Sequence, residues 1–264
     1  MEKPGGAARA HFNLACRLEQ RRDYVGAIAE YENALRLLPG YARAHYNIGC
    51  SYLVLGEPES AVRAFEEAAR LEPENAKAQL NLGCAYQSSG DGAKALAAFR
   101  AASRLEPDNR GALVGVGAAL FKQGDLEGAA EIFHGMVDHN RNDGTAHFNL
   151  GCVLMTMGDL ERAIGEFRAA ALVDDKAADA HYNIGCCLLR QGDLTPELAA
   201  FRRALEVNTG HAPAHCAVGY LLQTSGQTEE AVKAYNDALA ADPEFEPAAT
   251  NLMGAEEADA AKLP

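Results

Sequence analysis

The chain has 264 residues, 48% of them apolar, with a formal charge of −13 and a pI near 5.1. No apolar run reaches the 18 residues of a membrane span, and the acidic balance argues against general binding to nucleic acid or anionic lipid. Seven cysteines, an odd number, and an N-terminus without an apolar h-region predict free thiols in a reducing, cytoplasmic compartment.

In chain order, a short leader (1–7) is expected to be flexible. From Ala8 onward the sequence repeats. HYNIGC occurs at His45–Cys50 and again at His181–Cys186, with near-copies HFNLAC at His11, QLNLGC at Gln79 and HFNLGC at His147. The spacings are multiples of 34, and seven blocks of 34 follow without a gap: 8–41, 42–75, 76–109, 110–143, 144–177, 178–211 and 212–245. Counting Ala42 as position 1, position 8 is small throughout (Ala15, Gly49, Gly83, Gly117, Gly151, Gly185, Gly219). Position 20 is Ala in six blocks, with Glu197 the exception. Position 24 is always aromatic (Tyr31, Phe65, Phe99, Phe133, Phe167, Phe201, Tyr235), and position 32 is Pro in four blocks. Positions 4, 7, 8 and 11, then 20, 21, 24, 27 and 28, form two helical stripes separated by turns such as Gly90-Asp91. Residues 246–264 start like another first helix and then turn acidic, which predicts a capping helix and tail.

This pattern closely resembles the tetratricopeptide repeat (TPR) family over about nine tenths of the chain. The resemblance implies an all-α, right-handed superhelix of seven helical hairpins with a C-terminal capping helix. One hairpin cannot bury both its faces, and stacked hairpins can. The fourth block, with Gly111, Gly115 and Gly117 on its first helix, is expected to be a soft point, since helical Gly costs about 1 kcal/mol relative to Ala.

The recurring His and Cys do not make a chemical site. Positions 4 and 9 lie roughly 140° apart around a helix, so they cannot share a ligand, and no C-x-x-C or H-E-x-x-H spacing occurs. The position-4 histidines are expected as amphipathic rings at the core edge, with a pH-sensitive stack as the alternative. The position-9 cysteines are expected to be groove-lining, without a base to activate them. No metal, cofactor or catalytic residue is expected, and the chain is expected not to be an enzyme.

The concave face is predicted from positions 2, 5, 6, 9, 12 and 13. Position 6 carries Asn13, Asn47, Asn81, Asn149 and Asn183, which resemble the asparagine ladder by which some TPR proteins grip extended polypeptide. A side-chain amide has both a donor and an acceptor for a partner's backbone. The alternative is that these amides bond only to neighbouring helices. Phe12, Tyr46, Phe148 and Tyr182 at position 5 add apolar surface, and Arg9, Arg43 and Lys77 at position 2 add cations. With Glu19, Lys122, Asp179 and Arg190 the face has a predicted excess of three positive charges. Only Asn47 and Lys77 meet the five requirements of the chaperone-binding carboxylate clamp of the family, so a chaperone co-factor is not the leading reading. The expected function is a non-enzymatic protein–protein interaction module holding an extended partner segment. The alternative is an architectural subunit that uses its outer surface.

Overall fold

The computed structural model describes residues 4–173, 177–192 and 194–260, with side chains over 5–173, 177–192 and 198–255. Among the described residues there are fifteen α-helices and no strand. The chain divides into two compact units at Ile132/Phe133, inside one helix.

The first unit holds α1 (Pro4–Gln20), α2 (Tyr24–Leu37), α3 (Ala42–Val54), α4 (Pro58–Leu71), α5 (Ala76–Ser88), α6 (Gly92–Leu105), α7 (Arg110–Gln123) and the start of α8 (Leu126–His139). The second holds the rest of α8, then α9 (Gly144–Met157), α10 (Leu160–Val173), α11 (Ala177–Gln191), α12 (Leu194–Val207), α13 (Ala212–Thr224), α14 (Thr228–Ala241) and α15 (Glu246–Ala260). In the first unit each helix from α1 to α7 packs on the next, and in the second the same holds from α9 to α15. That one-dimensional packing of helical hairpins defines a TPR solenoid fold. Residues 4–7, within the expected leader, belong to α1. In α15, Ala248 and Ala255 are fully buried against the preceding hairpin.

The hairpin turns follow one rule. Position 15 is a left-handed residue: Gly56, Gly90, Gly124, Gly158, Gly192 and Gly226 have φ from +76° to +87°. The next backbone N–H then reaches back to position 11, as Asp91 does to the Tyr86 carbonyl (2.9 Å) and Asp159 to Leu154 (2.9 Å), closing the first helix with a Schellman bond. The same aspartates open the second helix, their carboxylates accepting from the N–H three residues on (Asp91 from Lys94, 3.2 Å; Asp125 from Gly128, 3.0 Å). In the first repeat, Arg22 occupies the left-handed position, at φ 62°.

All seven position-24 rings are buried to 1% exposure or less. In five repeats the ring closes on the glycine at position 8 (Gly49, Gly83, Gly151, Gly185, Gly219). A β-carbon on Gly49 would lie 2.7 Å from the Phe65 ring, and on Gly83 2.5 Å from Phe99, so only glycine allows the approach. Phe99 is tight on two sides, because a β-carbon on Gly115 would meet it at 2.6 Å. That glycine, expected to soften the fourth repeat, is therefore a packing requirement. Glu197, with Thr195 and Pro196 before it, lies outside the described side chains.

Candidate groove site

The predicted site residues sit on the first helices of the hairpins, and local packing decides how each presents itself. At position 5 the ring leans on the position-24 ring of its own repeat: Phe12 on Tyr31 (5.4 Å between centroids), Tyr46 on Phe65, Phe148 on Phe167 and Tyr182 on Phe201 (each 5.6 Å). Tyr46, Phe148 and Tyr182 are half-buried, with part of each ring open to solvent. Phe12 is different. It is 5% exposed, stacked on Tyr41 at 4.9 Å, with the Arg43 guanidinium 5.3 Å from its centroid. Expected as a groove surface, Phe12 is instead the platform on which Arg43 rests, a cation–π contact.

The asparagines have structural partners on the preceding repeat. The Asn47 amide donates to Tyr31 Oη (2.8 Å) and to Cys16 Sγ (3.9 Å). Asn81 donates instead to a position-5 tyrosine, Tyr46 Oη (2.8 Å), and to Cys50 Sγ (3.8 Å), and Asn251 donates to Cys216 Sγ (3.5 Å). An amide has two donor hydrogens, so in Asn47 and Asn81 both are used within the protein, and the carbonyl oxygen is what each has left to offer. Asn13 is exposed, and Asn149 and Asn183 are half-buried.

In the first unit Arg43, Tyr46, Asn47, Glu72, Asn75 and Lys77 line a cleft of about 320 Å³. Arg9, Arg43 and Lys77 are exposed, and among the described residues no carboxylate lies within 4 Å of any of them. Glu72, the acidic group of the cleft, accepts a hydrogen bond from the Asn75 amide (2.9 Å). In the second unit, position 2 carries Thr145, Asp179 and Pro213 instead, and Asp179 accepts from His211 Nε2 (3.1 Å).

The position-4 histidines tie repeats together. Nε2 of His45, His147 and His215 donates to the carbonyl of position 32 in the repeat before (Pro39, 3.0 Å; Arg141, 3.0 Å; Thr209, 2.8 Å). Nδ1 of His11 and of His147 lies 2.6 Å from Glu30 and Glu166, on the second helix of the same repeat. Five of the thiols are held neutral by burial. Burial pushes Cys50, Cys84, Cys186 and Cys216 above the ordinary thiol range and Cys187 up to about 11. A thiol kept protonated is a poor nucleophile. Among the described residues no group of three or more His, Cys, Asp or Glu is placed to hold a metal ion, and no helix is long and apolar enough to cross a membrane.

Two features escaped the sequence reading. Glu19, expected as a groove charge, accepts from Tyr31 Oη and from Ser51 Oγ, both at 2.8 Å. Its signal was the pairing of Tyr at position 24 with Glu or Gln at position 12, found again as Tyr235 and Gln223. His211 caps α13, its Nδ1 accepting from the Ala214 N–H (3.1 Å), a role ordinarily taken by Asp or Asn.

Fold and site together define a helical-hairpin repeat protein whose first helices carry a polar and aromatic face. The chain belongs to the tetratricopeptide repeat family, which it matches over residues 8–41, 42–75, 80–144, 148–213 and 212–245. No curated protein matches it in sequence. Similar solved structures include a TPR protein from Parabacteroides merdae (TM-score 0.76, 15% identity, covering 96% of this chain and 100% of that one). YrrB, a TPR protein with an unusual peptide-binding site, aligns with a TM-score of 0.56 at 24% identity over 70% of this chain and 95% of its own. The Cut9–Hcn1 hetero-tetramer of the APC/C aligns with a TM-score of 0.66 at 18% identity over 92% of this chain. The match covers 52% of that chain, so the present protein spans about half the length of that relative.

Proposed function

We propose that the chain is a non-enzymatic interaction module that holds an extended polypeptide segment on the face formed by its first helices. The carrying observation is the first-unit cleft, where Arg43 and Lys77, with no carboxylate within 4 Å among the described residues, stand beside Tyr46 and Asn47. Partner side chains would pack on the half-open rings of Tyr46, Phe148 and Tyr182. Partner backbone N–H groups would donate to the Asn carbonyl oxygens, since the amide hydrogens of Asn47 and Asn81 are already engaged. The geometry therefore favours a ladder that accepts from the partner over one that both donates and accepts. YrrB offers an analogy, being a TPR protein with a peptide-binding site.

The test is binding to an array of extended peptides by the native protein and by an Asn81→Ala, Asn149→Ala, Asn183→Ala variant compared at matched stability. Weakening across unrelated peptides supports the Asn contacts. Unchanged binding reduces these residues to the inter-repeat bonds described above.

A second reading, an architectural subunit, has its own observation. Leu37, Leu105 and Val207, all at the last turn of second helices, are 39–49% exposed. Replacing them with Ser would break assembly under that reading and leave peptide binding untouched under the first.

A further inference from the structure

Resting on the peptide-groove reading, we infer that the partner segment recognised by the first unit is acidic, with carboxylates three residues apart, Glu/Asp-x-x-Glu/Asp-x-x-Glu/Asp. Arg9, Arg43 and Lys77 are the same position of three successive repeats, each 34 residues from the next. They are exposed and, among the described residues, have no carboxylate within 4 Å, in a chain whose overall charge is −13. Arg70, Lys94, Arg162 and Arg203, by contrast, each have a carboxylate within 4 Å on their own helix or its N-cap. Arg43 is also pre-placed: its guanidinium lies over the Phe12 ring, itself stacked on Tyr41, so the N–H edges of the guanidinium are left for a partner. The cleft between Arg43 and Lys77 has room for a side chain, and its own carboxylate, Glu72, is held by Asn75.

Spacing supplies the register. The first helices α3 and α5 touch directly, with Cα atoms within 8 Å, and packed helices have axes about 8–10 Å apart. A partner in the extended polyproline-II conformation advances about 3.1 Å per residue with three residues per turn, so side chains three apart share one face about 9 Å apart, one per repeat. Position 2 of the second unit, with Thr145, Asp179 and Pro213, continues no such row, which confines the acidic segment to the first unit.

The experiment measures binding of fluorescent twelve-residue peptides to the full chain at low salt. One peptide carries Glu at i, i+3 and i+6, a second has the same composition with the three Glu contiguous, and a third has Gln in their place. The spaced peptide is expected to bind at least about tenfold tighter than the Gln peptide and measurably tighter than its contiguous isomer, an advantage that shrinks in 0.5 M salt. Lys77→Glu, an exposed change, should weaken the spaced peptide and be rescued by Lys at the matching peptide position. Arg43→Glu should act alike, with circular dichroism checking that loss of the Phe12 contact has not unfolded the repeat. Equal binding of the two isomers, no effect of Lys77→Glu, or displacement of the peptide by a single-stranded RNA oligonucleotide overturns the inference. If the Gln peptide binds as well as the spaced one, the groove reading stands and the acidic register falls. If no peptide binds, both fall.

Discussion

Tyr31 donates its hydroxyl to Glu19 at 2.8 Å, and the same two positions of the last repeat carry Tyr235 and Gln223 at 2.7 Å. Tyr31 is fully buried, so its hydroxyl needs an acceptor from inside the protein. Where the ring is Phe65 or Phe201, position 12 is Leu53 or Leu189. Glu19→Leu leaves the Tyr31 and Ser51 hydroxyls without their acceptor and is expected to destabilise by about 2–3 kcal/mol. Adding Ser51→Ala removes one of the two stranded hydroxyls and recovers part of that loss. Urea denaturation of the two variants checks it, and a double variant as unstable as the single one contradicts it.

Arg22 holds the left-handed position that glycine fills in the six later repeats. A side chain there costs roughly 1–2 kcal/mol of backbone strain, partly offset by the greater freedom of an unfolded glycine. Arg22→Gly should therefore stabilise the first hairpin by about 1 kcal/mol, seen as slower hydrogen exchange in α1 and α2.

Two glycine-to-alanine changes should have opposite signs. Gly83→Ala drives a β-carbon to 2.5 Å from the buried Phe99 ring and is expected to cost about 1–3 kcal/mol. Gly165→Ala, mid-helix in α10 with nothing within 4 Å of the new carbon, is expected to gain up to about 1 kcal/mol. Their urea midpoints decide it.

Stability should be greatest between about pH 6.5 and 8.5. Burial, helped by Arg203, lowers the His181 pKa, so below the ordinary histidine range the unfolded chain binds the proton more readily and stability falls with pH. The buried thiols are raised, so above about pH 8.5 the unfolded cysteines ionise while the folded ones do not, and stability falls as pH rises. His181→Gln should flatten the acid side. An unchanged acid limb would show that His181 does not contribute.

The repeat register was legible because it is a local property: a small residue at position 8 and an aromatic at position 24 recur every 34 residues, with Gly at the turn in six of the seven blocks, and these satisfy helix periodicity directly. Contacts between repeats were not legible. That Phe12 lies under Arg43, or that Asn81 spends its amide hydrogens on Tyr46 and Cys50, depends on the offset between successive first helices, which helix periodicity alone does not encode. Arg22 and His211 escaped for another reason: each stands in for the usual residue at a turn or cap, where backbone geometry overrides residue preference.

Binding in the groove requires that the partner meet the first helices rather than the second. A benzophenone photo-crosslinker placed by Lys77→benzoylphenylalanine in the first-unit cleft, or by Arg70→benzoylphenylalanine on a second helix, can be irradiated with a peptide selected for binding. Crosslinking from position 77 and not from position 70 is the predicted result; the reverse would place the partner on the outer surface and contradict the groove.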